Sequence, residues 1–153
     1  MTSKLSPFLV GLWLNASSGT PSLSAQTART LADTDLVVAG IGMYNPQNVV
    51  QELLGRPDST RHRGSDWYYR GLSVSFADDA VWVITLETPK YHSARGLRVG
   101  DSVARARRLY GPSPATENEL VYCGTDSAPD QGMRVDFVGA RITAIAVGIV
   151  CQD

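Results

Sequence analysis

The chain predicts an α+β fold made of two tandem units, each a helix followed by an antiparallel β-meander, packed together. Three observations carry this. First, the sequence repeats itself. Residues 40–57 read GIGMYNPQNVVQELLGRP and residues 96–114 read GLRVGDSVARARRLYGPSP, so that Gly40 falls on Gly96, Ile41 on Leu97, Asn45 on Asp101, Leu53 on Leu109 and Gly55 on Gly111. The match resumes downstream, where Leu72, Val74, Phe76, Val81 and Ile84 fall on Met133, Val135, Phe137, Ile142 and Ile145. A repeat of this kind outranks local propensity, because both copies must adopt the same small fold. Second, each copy opens with the punctuation of a helix. Third, each continues with apolar residues at period two.

Taken in order, residues 1–25 stand apart. Lys4 precedes a short apolar core at residues 5–14, and small and polar residues lead to a cut expected after Ala25, the pattern of a secretory signal peptide. The competing reading makes residues 8–14 a strand of the mature fold. The polar stretch 27–35 suits a linker or a single helical turn. In the first helix Asn45 is the expected N-cap and Pro46 fits the first turn. Val50, Leu53 and Leu54 form an i, i+3, i+4 stripe, and Gly55 with Pro57 ends it. Residues 58–65 are polar and read as a loop. Residues 67–71, 72–76 and 80–86 read as strands, because Leu72, Val74 and Phe76 alternate with Ser73 and Ser75.

The second unit repeats the scheme. Asp101 is the expected cap, Val103, Ala106, Leu109 and Tyr110 face inward, and Arg105, Arg107 and Arg108 face water. Strands follow at 120–123, 133–138 and 141–150, with an inserted loop at 125–131. The units therefore span residues 36–93 and 94–153. A unit this small is marginal alone, so the two are expected to share a core by sheet continuation or face to face.

Composition narrows the function. The chain of 153 residues is 43% hydrophobic and 19% charged, with a net charge of −1. That is globular usage without the basic excess of a nucleic-acid binder. No apolar run reaches the roughly 20 residues that span a bilayer. Cys123 and Cys151 each end a β-type run. In an oxidising compartment they pair, and closing that loop stabilises by about 3–4 kcal/mol; in the cytosol they are buried thiols.

Candidate chemistry is thin. The GlyIleGly at 40–42 lacks the third glycine of a dinucleotide loop and fits a close approach of chain to helix. His62 and His92 have no second ligand at metal spacing, Asp78 and Asp79 suit a hairpin turn, and Asp126 and Asp130 lack a calcium-loop pattern. No cofactor is expected. The aromatic run 67–69 is more informative. Tyr69 is matched by Tyr122 and reads as core, whereas Trp67 falls on Leu120 and is free for another role. Exposed Trp, Tyr and Arg make binding hot spots, so Trp67, Tyr68 and Arg70, with Tyr91 from the joint between units, form the expected contact surface.

The phrase GlyIleGlyMet, the helix ending LeuLeuGlyArgPro, the TrpTyrTyr strand and the ValSerPhe strand with its acidic turn resemble the BamE/SmpA-like family. Two such units in tandem are similar to the layout of the secreted β-lactamase inhibitor proteins. The resemblance implies an exported protein that acts by binding other proteins. The chain departs from the first family in lacking a lipoprotein cysteine. It departs from the second in having one clear helix per unit and two cysteines in all. The expected function is an exported, periplasmic or secreted, non-enzymatic module contacting another protein or an envelope component. The alternatives are an inhibitor of a secreted hydrolase and a small enzyme with its site between the units; a cytoplasmic protein is the alternative location.

Overall fold

The computed structural model describes residues 31–124 and 127–151, so the expected signal peptide or extra strand lies outside the described residues. Within them a 3-10 turn (Asp33–Leu36) precedes α1 (Gln47–Leu54), followed by β1 (Ser59–Arg61), β2 (Asp66–Tyr69), β3 (Leu72–Ala77) and β4 (Ala80–Leu86). Then come α2 (Val103–Tyr110), β5 (Glu119–Cys123), β6 (Gln131–Val138) and β7 (Arg141–Ile149). The strands form one seven-stranded antiparallel sheet in the order β1-β2-β3-β4-β7-β6-β5. The fold is α+β, and the sheet continues across a β4–β7 seam in which Ile84 pairs with Val147, Thr85 with Ala146 and Leu86 with Ile145.

Period-two burial separates the two sheet faces. Leu72, Val74 and Phe76 are buried while Ser73, Ser75 and Ala77 are half-buried. The buried set joins Val50 of α1 and Val103, Ala106 and Tyr110 of α2 in a single core. Both helices therefore pack on that face, each burying a narrow apolar stripe. Leu53 is the exception in the expected stripe of α1, since half of its surface remains exposed.

The helix starts differ by one residue from expectation. Pro46 occupies the N-cap of α1 and Ser102 that of α2, where its hydroxyl accepts from Arg105 N at 3.2 Å. Asn45 and Asp101 instead brace the turn before each helix. Asn45 Oδ1 accepts from Gly42 N at 2.8 Å, and Asp101 Oδ2 accepts from Arg98 N at 2.9 Å. Two further pairs of main-chain bonds match, one before the helices and one beside the strands. Tyr44 N donates to Val81 O, as Gly100 N does to Ile142 O; Phe76 N donates to Ser65 O, as Phe137 N does to Asn118 O. The β3–β4 and β6–β7 pairings each carry an irregularity, at Ser75/Phe76 and Asp136/Phe137.

Two tyrosine hydroxyls hold the helix ends. Tyr69 donates to Gly55 O at 3.2 Å and Tyr122 to Gly111 O at 3.3 Å. Burial pushes the Tyr122 phenol up to about 12, because its anion would be stranded without water. A folded value above the ordinary 10 means that this stability is intact below pH 10 and is lost as pH rises through 12. Alkaline unfolding followed by circular dichroism is expected in that window, and Tyr122→Phe should move it to higher pH. An unchanged midpoint would contradict the assignment.

Cys123 and Cys151 form a disulfide with Cα atoms 5.7 Å apart and a sequence separation of 28. It tethers the end of the chain that follows β7 to the edge strand β5. The segment 113–116 covers the outer edge of β5: Ser113 Oγ donates to Val121 O and accepts from Val121 N, and Ala115 bridges to Leu120. That leaves little free backbone on this side for unwanted pairing.

Candidate functional site

The contact surface expected at Trp67, Tyr68, Arg70 and Tyr91 is not one surface. Trp67 pairs with Val74, whose side of the sheet is the helix-covered side. Its indole is buried edge-on to Phe76 at 4.9 Å between ring centroids, and Nε1 donates to Gly64 O at 2.9 Å. Replacing its counterpart by leucine did not free it, because strand register alone decides which face a side chain joins. Tyr68, one residue on, lies on the opposite face beside Ser73, half-buried, with the Arg61 guanidinium 4.9 Å from its ring centroid. Arg70 is exposed in the turn after β2. Tyr91 packs against the margin of the core with Lys90 Nζ 4.9 Å from its ring centroid.

The second face of the sheet has the better claim. Cross-strand rows run Tyr68–Ser73–Thr85–Ala146–Arg134–Val121 and Asp66–Ser75–Val83–Gly148–Gly132–Cys123. In these rows the side chains on β2, β3 and β4 and that of Arg134 are half-buried, whereas Ala146, Gly148 and Gly132 are buried, so the accessible part of this face lies over β2, β3 and β4 and beside Arg134. A groove of about 400 Å³ lies on it, lined by Ser75, Trp82, Val83, Arg134, Ala146 and Ile149. Trp82 is 36% exposed because the irregular pairing leaves it without a direct partner between Val81 and Val83. Such bulges commonly re-aim a side chain. Arg134 Nε is bound to Asp136 Oδ1 at 3.1 Å.

Sequence reasoning passed over Trp82, although laying the two halves over each other sets it against Thr143, a substitution no core position would invite. It also passed over Tyr44, which is 54% exposed with φ 61° and whose hydroxyl accepts from Gln131 Nε2 at 3.0 Å.

The remaining candidates behave as local structure. His62 Nδ1 is hydrogen-bonded to the Asp66 carboxylate, and that bond is the main cause holding the Asp66 carboxyl below its ordinary value. His92 Nδ1 is 2.8 Å from Ser93 O. Asp78 and Asp79 both have positive φ, as a tight hairpin turn requires, and Asp79 Oδ1 accepts from Gln47 Nε2 at 3.3 Å. Asp126 lies outside the described residues. No group of three or more metal-ligating side chains occurs among the described residues, and no described helix is long and apolar enough to cross a membrane. Comparison with protein-family models, curated proteins and solved structures finds no match to this chain.

Proposed function

We propose that this chain is an exported, non-enzymatic binding module that uses the sheet face opposite its two described helices to contact another protein or an envelope component. The observation that carries the reading is that face itself, which bears half-buried Tyr68, exposed Trp82 and half-buried Arg134 beside Ser73, Ser75 and Thr85. Large rigid aromatics and a guanidinium on a low-relief surface are the usual makings of an interface hot spot. Export is supported by the Cys123–Cys151 bond, which persists in oxidising compartments.

The module is built from two copies of one helix-plus-meander unit, residues 36–93 and 94–153. The hydrogen bonds made at both helices support this, as does the seam. Residues Ile84, Thr85 and Leu86 align with Ile145, Ala146 and Val147, and the seam pairs them in reverse, as a two-fold axis between Thr85 and Ala146 would. The resemblance to BamE/SmpA-like proteins, with their protein-binding roles, points the same way.

The test is photo-crosslinking in the producing cell from a benzoyl-phenylalanine placed at Thr85. One discrete adduct, lost when Trp82 is also changed to alanine, is the expected result. Absence of any adduct from Thr85, with efficient crosslinking from the exposed helix position Gln51, would overturn the choice of face.

A further inference from the structure

Charge is distributed differently in the two halves, and arginines gather around α2. Arg105 and Arg108 lie three residues apart on its exposed side. Arg98 stands in the turn before it, and Arg141 joins that turn by bridging to Ser102. Three of these guanidinium groups are tied to main-chain carbonyls of the same neighbourhood. Arg98 Nη1 donates to Pro89 O at 2.8 Å, Arg105 Nη2 to Gly96 O at 3.4 Å and Arg141 Nη1 to Gly100 O at 3.1 Å. Among the described residues one carboxylate is bonded within this group: Asp101 Oδ2 is 3.1 Å from Arg105 Nε and accepts from Arg98 N. A chain with net charge −1 thus gathers four arginines against one aspartate in a single exposed region.

The fold does not require them. On the alignment of the halves, Arg98, Arg105, Arg108 and Arg141 stand where the first half has Gly42, Val49, Glu52 and Ala80. The same turn, helix and hairpin form there, with the matching Gly42–Asn45 and Tyr44–Val81 hydrogen bonds. Arginines that the backbone does not need, yet that its carbonyls hold in place, are arranged for something outside the chain.

We propose that this arginine surface docks an acidic patch on a folded partner protein, with carboxylates as the recognised groups. Each tethered guanidinium keeps N–H groups free to meet a carboxylate as a planar fork. Tethering also fixes the spacing of the forks. A fixed array gains most against carboxylates that are themselves fixed on a folded surface, since neither side then loses freedom on binding. Lipid headgroups and flexible polyanions, whose charges rearrange, gain little from it. Its four arginines belong to neither the cross-strand rows nor the groove described above, so the two surfaces are tested separately. Its charge stands by itself, and only the comparison of halves rests on the duplication proposed above.

The experiment compares the native chain with the triple variant Arg98→Gly, Arg108→Glu, Arg141→Ala, which installs residues that the first half accommodates. Circular dichroism should show the variant folded. The probe is a stapled helical peptide carrying glutamates at i, i+4 and i+7, titrated at low and physiological salt, with phosphatidylglycerol vesicles and polyphosphate alongside. The expected result is peptide binding that weakens at least about 10-fold in the triple variant, weakens with salt, and is unchanged by the remote Arg56→Ala. Equal peptide binding by native and triple variant overturns the proposal, and so does tighter binding per charge to vesicles or polyphosphate. Crosslinking from Thr85 reads the sheet face, so the two readings fail separately. If the triple variant does not fold, Arg108→Glu alone, at an exposed helix position, carries the same comparison with a smaller loss.

Discussion

Replacing Arg95 with methionine is expected to remove about 3–4 kcal/mol of stability, read as a lower urea midpoint with an unchanged denaturant slope. Arg95 Nη2 is 2.5 Å from Asp35 Oδ2 and Nε donates to Oδ1 at 2.8 Å, while Nη1 donates to Leu109 O at 2.9 Å. The guanidinium carbon also lies 4.8 Å from the Tyr110 ring centroid. Asp35 keeps only 7% of its side chain exposed, so losing Arg95 strands a carboxylate whose remaining side-chain bond is from Ala32 N. The Asp35 bond raises the Arg95 guanidinium further above its ordinary value, so no accessible pH discharges the pair from that side. The double variant Asp35→Leu/Arg95→Met should recover most of the loss, because it removes both charges together. A single-variant effect under about 1 kcal/mol would mean that water already screens the pair.

Gly148→Ala is expected to cost about 4 kcal/mol, near the upper end for a single substitution, and to lower the thermal midpoint by roughly 10 °C. Gly148 has φ 141° and faces Val83 across the seam. A Cβ there would sit 2.3 Å from Trp82 O, 2.9 Å from Val83 Cα and 3.1 Å from Met43 Sδ. Two of those atoms are main chain, so β4 itself would have to shift, and β4 carries the pairing with β7. Gly139→Ala is the control. Its φ is 60°, but nothing lies within 4 Å of a new Cβ, so only the backbone penalty of about 1 kcal/mol applies. Similar losses in the two variants would show that backbone conformation, not the close approach, sets the Gly148 effect.

Both helices and six of the seven strands are legible in the sequence, because Val50, Ala106, Leu72 and Val135 fall at spacings that only one periodicity explains. β1 is not, since Ser59, Thr60 and Arg61 are all exposed and carry no apolar alternation. Its place is set by hydrogen bonding to β2 alone. Asn45 and Asp101 were natural caps by residue type, but the turn ahead of each helix claims their oxygens first. The seam is illegible for a different reason: pairing Leu86 with Ile145 is a long-range choice that no local window contains. Of the expected contact residues, Tyr68 alone reaches the open face. Trp67 is drawn inward by its register with Val74, and the bulge that turns Trp82 outward breaks the alternation on which any strand reading depends.

The seam also imposes an order in time. β4 is finished at Leu86, but its second neighbour does not begin until Arg141, after α2, β5 and β6 have all been made. Throughout that interval one edge of β4 presents unpaired backbone beside Trp82 and Val83, the kind of edge on which chains aggregate. Closure by β7 is a non-local event, which places folding towards the slow, millisecond-to-second end of the range for small domains. A chain that must wait for β7 gains by staying unfolded until that strand has been made.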